Sequence, residues 1–181
     1  DLLEASKASS GVLNVIPAPC EVGVLLEQVQ GEYAERLHAH DLNLIVQTPD
    51  KTLTVLADGR HLGRIFDNLM NNIIKYAQPG TRVYLDARAG LDPAAPGGSR
   101  PVAVITFRNV SAEPLNIPAE ELLERFVRGD ASRHTEGSGL GLAIVQSLTE
   151  LQGGSFRLEI DGDLFKAIVS FPQDGTQELH A

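Results

Sequence analysis

The stretch from Glu136 to Leu142 reads Glu-Gly-Ser-Gly-Leu-Gly-Leu and runs straight into an apolar pattern at Leu140, Ile144, Leu148 and Leu151. That spacing predicts a helix over 139–152 whose first turn is led by glycine. Gly137, Gly139 and Gly141 leave backbone N–H groups unshielded by any Cβ. The first N–H groups of a helix have no partner within it and sit at the positive end of its dipole. Such a segment cradles an anion, and a polyphosphate fits best because Arg125, Arg128 and Arg133 stand shortly upstream as fixed-charge donors. The glycines alone fit a loop capping an ordinary helix equally well, so the rest of the chain has to decide.

With 181 residues and 43% hydrophobic content, the chain has enough apolar side chains for one domain with a substantial core. Its formal net charge of −9 opposes nucleic acid or an anionic membrane as partner, since the overall field repels both. The single cysteine, Cys20, excludes an internal disulfide. No apolar run is long enough to span a bilayer and the N-terminus lacks a signal-peptide pattern, so any membrane anchor of the parent protein is expected outside this piece.

Taken in order, Asp1 to Ser10 reads as the last turns of a helix that begins upstream. A second helix is predicted from near Glu21, with Val22, Leu25, Leu26, Val29, Tyr33 and Leu37 on one face, ending near His38 to Asp41. Leu42, Leu44 and Val46 alternate with polar residues, Thr-Pro-Asp makes a turn, and Thr52 to Leu56 resumes with β-branched residues; these two runs predict a hairpin. Asp58 caps the next helix, whose apolar set is Leu62, Ile65, Phe66, Leu69, Ile73 and Ala77. Strands follow at Val83 to Arg88 and Val102 to Phe107, with Leu91 to Pro101 as a Pro- and Gly-rich loop between them. A short helix over Glu120 to Phe126, a polar loop over Val127 to Ser138 and the glycine-led helix come next. The strands Phe156 to Ile160 and Leu164 to Phe171 are joined by Asp161-Gly162, and Gln173 to Ala181 reads as a frayed tail. This mixed order predicts an α+β two-layer sandwich: a mixed sheet of about five strands with three helices on one face.

The helix from Asp58 carries a second message. At about 100° per residue, Asn68, Asn72 and Lys75 fall within roughly a 60° arc beside the apolar stripe, with Tyr76 at its boundary. Amide oxygens complete the shell of a hard cation such as Mg²⁺, which keeps waters and phosphate oxygens as its other ligands, and a neighbouring ammonium neutralises further phosphate charge. Asparagine is a poor helix former, and three in five positions, at Asn68, Asn71 and Asn72, lose propensity that something must offset.

Three segments in this order, Asn68 to Tyr76 (NLMNNIIKY), Arg125 to Arg133 (RFVRGDASR) and Gly137 to Val145 (GSGLGLAIV), resemble the N box, F box region and G2 box of the ATP-binding catalytic domain of sensor histidine kinases. That domain belongs to the gyrase, Hsp90, histidine kinase and MutL superfamily, and the resemblance implies the Bergerat fold over 11–173, followed by a tail over 174–181. The first ten residues resemble the end of a dimerisation and phosphoacceptor domain. Carried over, Asn68 and Asn72 hold Mg²⁺, Lys75 contacts phosphate and Tyr76 packs on the nucleotide. Arg128 and Arg133 reach the phosphates from a lid over Val127 to Ser138. Gly137, Gly139 and Gly141 admit the phosphates, with Leu140 and Leu142 seating the helix on the sheet. Phe126 resembles the closing aromatic of the F box, and Leu123 stands where its partner would be. The lid has almost no apolar residue to anchor it, so nucleotide contacts are expected to order it.

One box departs from the pattern. The family usually carries Asp-x-Gly-x-Gly after the central strand, where the Asp accepts a hydrogen bond from the adenine amino group; here Asn109-Val110-Ser111-Ala112-Glu113 occupies that place. The Asn109 oxygen accepts the same bond without the charge assistance. The hydrolases of the superfamily place a Glu where this chain has Asn68, and an amide cannot take a proton, which favours phosphoryl transfer over hydrolysis. The implied activity is that of a protein histidine kinase using ATP and Mg²⁺, with Asn68, Asn72, Lys75 and Arg128 carrying the chemistry. The implied partners are a phosphoacceptor domain of the same protein and a response regulator. No histidine here lies in the family's phosphoacceptor context, so the fragment is expected to be monomeric and to need its acceptor, within a homodimeric parent that faces the cytoplasm from a membrane anchor. The alternative is a degenerate module that binds nucleotide or protein without turnover. No Gly-Lys-Ser/Thr supports a P-loop, Gly-Ser-Gly-Leu-Gly has the wrong spacing for a Rossmann turn, and His38, His40, His61, His134 and His180 show no metal-ligand spacing.

Overall fold

The computed structural model describes residues 14–48, 52–92, 99–116, 118, 119, 121–123 and 141–174. The first strand, β1 (Ala18–Glu21), runs into α1 (Val22–Ala39). No side chain caps α1; its leading Val22 N–H instead donates to the Leu53 carbonyl at 2.9 Å, so tertiary structure satisfies one of the N–H groups that the helix leaves open. At its other end Asp41 adopts φ 54°, and Leu42 N–H reaches back to the Leu37 carbonyl at 2.9 Å, a left-handed closure that usually takes glycine.

That closure sets the path of the next strand. Asn43 N–H donates to the Thr81 carbonyl at 3.1 Å and Gly80 N–H to the Asp41 carbonyl at 2.7 Å. These bonds set β2 (Asn43–Gln47) parallel to β4 (Arg82–Asp92), with Asn43 opposite Arg82. A parallel pair needs a crossover, which α2 (Gly59–Tyr76) supplies. The predicted hairpin of β2 with β3 (Thr54–Ala57) therefore does not form. Instead β3 pairs antiparallel with β1, a strand the sequence pattern does not announce, Pro19 lying opposite Leu56.

The five-stranded sheet has the order β2-β4-β5-β7-β6, with β5 (Arg100–Val110), β6 (Ser155–Asp161) and β7 (Leu164–Pro172) all antiparallel to their neighbours. Both β4 and β5 run into the stretch expected as loop, because Leu91 still pairs with Pro101 and Asp92 with Arg100. Gly162, at φ 58°, turns β6 into β7. Gln173 bridges to Val55 and Asp174 N–H donates to the Thr54 carbonyl, so the first two residues of the expected tail belong to the fold.

Alternation puts Leu85 and Ala87 of β4, Ile105 and Phe107 of β5, and Val169 and Phe171 of β7 on one face, in one core with the buried sides of the helices. On α2 the buried set Leu62, Ile65, Phe66, Leu69 and Ile73 repeats every three or four residues, and the Phe66 ring meets Phe107 at 5.6 Å between centroids. The third helix, α3 (Gly141–Leu151), buries Leu142, Val145 and Leu148 beside it. The described helices thus cover one sheet face only, as the pattern predicts. Leu122 and Leu123 also pack on this core.

Candidate nucleotide-binding site

The two flanks of α2 differ in their contacts. On one, Tyr33 of α1 donates its hydroxyl to Asp67 Oδ1 at 2.9 Å and Arg36 donates to Asn71 Oδ1 at 2.8 Å, which locks α2 against α1. Burial, followed by the Asp67 carboxylate, pushes the Tyr33 hydroxyl up to about 12, so it stays a donor throughout the neutral range. The other flank carries Asn68, Asn72 and Lys75. Asn71 thus has a structural task, which accounts for one of the three asparagines on this helix.

Asn68 Nδ2 donates to the Arg64 carbonyl one turn back, at 2.8 Å, which turns Oδ1 away from its own helix. A Cβ built on Gly141 would stand 3.3 Å from that Oδ1, closer than ordinary contact, so the first residue of α3 abuts the Asn68 amide. Asn72 is half-buried and makes no hydrogen bond among the described residues. Two amides one turn apart on this flank, with the Asn68 oxygen beside the start of α3, are donors suited to a hard cation that retains phosphate and water ligands. Among the described residues no group of His, Cys, Asp and Glu could hold a metal ion independently.

At the end of α2, Tyr76 is 39% exposed and Lys75 Nζ lies 4.9 Å over its ring. This end is stitched to the chain after β5: Gln78 N–H donates to the Val110 carbonyl and Ala112 N–H to the Tyr76 carbonyl, each at 2.8 Å, with a bridge from Ala77 to Ser111. That stitching brings Asn109, on the helix-covered face of β5 and 4% exposed, to the same corner as Tyr76. Its Nδ2 donates to the Val110 carbonyl at 3.2 Å, which leaves Oδ1 as an acceptor.

Leu142 is buried in the core as expected for a residue seating α3. Arg128, Arg133, Gly137, Gly139 and Leu140 lie outside the described residues, as do Phe126 and the lid. At the other end of α2 the structure adds to what the sequence states. Buried Asp58 accepts the Arg60 N–H as the cap of α2, accepts the Ile16 N–H and pairs with the Arg60 guanidinium at 2.7 Å, while its own N–H donates to Gln152 just past α3. The Arg60 guanidinium, with the two backbone donors, holds the Asp58 carboxyl well below the usual range against the opposing pull of burial. Its role as a cap is legible in the sequence; its bond to Gln152, 94 residues away, has no sequence signal.

The chain matches the family described as histidine kinase-, DNA gyrase B- and HSP90-like ATPase over residues 57–177. It is 32% identical over 157 residues to the signal transduction histidine-protein kinase BaeS of Escherichia coli K12, covering 85% of this chain and 31% of that protein. It is 26% identical over 174 residues to the sensor protein VanS of Enterococcus faecium, covering 95% and 42% respectively. The chain therefore spans well under half of either relative. The fold matches full-length ShkA in complex with AMPPNP with a TM-score of 0.74 at 24% identity, covering 95% of this chain and 34% of that one. It matches the catalytic domain of histidine kinase ThkA with a TM-score of 0.71 at 20% identity, covering 87% and 96%. Fold and family match converge: the chain belongs to the histidine kinase-, DNA gyrase B- and HSP90-like ATPase family.

Proposed function

We propose that this domain binds ATP with Mg²⁺ along the Asn68, Asn72 and Lys75 flank of α2 and passes the γ-phosphoryl group to a histidine on the dimerisation domain of its parent protein. The observation that carries the reading is the Asn68 amide, its nitrogen tied to Arg64 and its oxygen turned toward the N-terminus of α3. Asn68 and Asn72 would hold the cation, whose role is to neutralise charge on the β- and γ-phosphates. Lys75 adds a point charge, Tyr76 offers a ring for the nucleoside, and Asn109 Oδ1 accepts from the adenine amino group. Arg128 and Arg133 act from the lid, and Gly137, Gly139 and Gly141 admit the phosphates near Leu140 and Leu142. In the transfer, the bond from the γ-phosphorus to the β,γ-bridging oxygen breaks, a bond to an imidazole nitrogen forms, and ADP leaves. A response regulator then takes the phosphoryl group.

Hydrolysis is disfavoured because the Asn68 amide cannot take a proton from water as a general base. In this reading the parent sits at the bacterial membrane with this domain in the cytoplasm. A non-catalytic regulatory module is the second reading, favoured by Asn109 and by the non-glycine segment after it, which is tied to α2. Incubating the domain with γ-labelled ATP and the separate phosphoacceptor domain decides between them. Label is expected on the acceptor histidine; label released only as inorganic phosphate, or none transferred, would overturn the kinase reading.

A further inference from the structure

The face of the sheet opposite the described helices has its own chemistry. Alternation directs Arg82 and Arg88 of β4, Arg100 and Arg108 of β5, Lys166 of β7 and Arg157 of β6 to this side. Their acidic neighbours are Asp86, Asp92, Glu159 and Asp161 at the end of β6, so the face carries a positive surplus in a chain whose net charge is −9. Arg108 pairs with Asp86 at 2.6 Å and lies 5.3 Å over the Tyr84 ring, while Lys166 and Arg157 share Glu159 at 2.6 and 3.3 Å. Exposed Arg82 and Arg88 have no hydrogen-bond or ion-pair partner among the described residues. Arg100 Nε and Arg108 Nε are buried donors without an acceptor there. This face is therefore short of acceptors as well as of negative charge.

It also has apolar content that the core does not use. Val102 and Ile168, at 2% and 6% exposure, are buried yet stand apart from the cluster that joins sheet and helices. They floor a cleft of about 160 Å³ with Val104, walled by Arg88 and Arg157 and by Asp92, whose carboxylate pairs with Arg100 at 3.5 Å. Gly90 keeps it open, because a Cβ there would lie 2.9 Å from Val104 Cγ2. An apolar floor between guanidinium groups has the composition of a protein-recognition surface.

We infer that this face is a docking surface for an acidic, partly apolar segment of another protein, which sets carboxylates on Arg88 and Arg157 and an apolar side chain between them. Opposite charge is what the face recruits, since the rest of the chain is strongly acidic and repels such a segment elsewhere. Nucleic acid is disfavoured by the same net charge and by Tyr84 being the only aromatic ring on these strands that faces this side. A second copy of this chain could bring its acidic surface only head to tail, an arrangement that does not close into a dimer.

The test titrates the full ¹⁵N-labelled chain at low salt with three probes: an eight-residue peptide of alternating Glu and Leu, its Lys and Leu counterpart, and a single-stranded oligonucleotide. Amide shifts confined to residues around 88–90, 102–104, 157 and 168 are expected with the acidic peptide alone. They should weaken at least tenfold in Arg88→Glu/Arg157→Glu, and also in Gly90→Ala, which narrows the cleft without changing charge. An equal response to the basic peptide or the oligonucleotide, shifts on the helical side, unchanged binding by the charge-reversed variant, or the same shifts on concentrating the protein alone would each overturn the assignment.

Discussion

At the scale of single residues, the charge state of Asp58 and the amide of Asn109 make opposite points. Asp58 is ionised in the fold with a carboxyl held below its ordinary value of 3.8 by Arg60 and by the Ile16 and Arg60 N–H groups. A group whose folded value is depressed contributes stability above its unfolded value and loses it as pH falls toward the folded one. Asp58→Ala should cost about 1–2 kcal/mol at pH 7 through the lost cap, and the gap between variant and parent should narrow on going to pH 3. Urea denaturation at the two pH values reads both; a gap that stays constant would mean that the carboxylate charge contributes nothing. Asn109 lacks such charge. Asn109→Asp should tighten ATP by about 1 kcal/mol through a charge-assisted bond, while the Val110 carbonyl loses its donor and the melting temperature falls. Unaltered affinity would move the adenine contact to another residue.

At the scale of elements, α2 and α3 were legible because both rest on helical period, which the sequence states directly. The separate task of Asn71 was hidden, since only the packing of α1 distinguishes it from Asn68 and Asn72. Pairing of β2 was misread for a related reason: alternation tells which side chains share a face, and Leu44 and Val46 alternate equally well beside β3 or β4. The backbone bonds from Asp41 and Asn43 to Gly80 and Thr81 decide it, and they join residues nearly forty apart. Ala-Pro-Cys-Glu has no β-branched residue to announce β1, and Gly90 and Pro101 look like breakers although strands accept them at this long hairpin. Packing also sets a prediction after α3. A Cβ on Gly154 would lie within 2.3 Å of the Ser170 carbonyl oxygen, so Gly154→Ala must push α3 from β7 and should cost about 1–3 kcal/mol in thermal or chemical denaturation. A neutral result would show that the connection between α3 and β6 is free to shift. Loss of the lock between α1 and α2 in Tyr33→Phe should cost about 1 kcal/mol by the same measurement, with the difference shrinking as pH rises from the ordinary value of 10.0 toward the Tyr33 value of about 12.

On the scale of the whole molecule, one sheet face holds the core and the proposed nucleotide site while the other carries the basic side chains around a small apolar cleft. Binding of ATP through a cation on the Asn68, Asn72 and Lys75 flank of α2 turns on Asn72, which is half-buried and makes no hydrogen bond among the described residues. Calorimetric titration of ATP into the domain and into Asn72→Ala, each with Mg²⁺ and with excess chelator, separates the cation's contribution from the rest. The parent is predicted to bind at least tenfold more tightly with Mg²⁺, about 1.4 kcal/mol, and the variant to lose that difference while melting at the same temperature. A variant that keeps the full Mg²⁺ dependence would contradict cation binding at this flank.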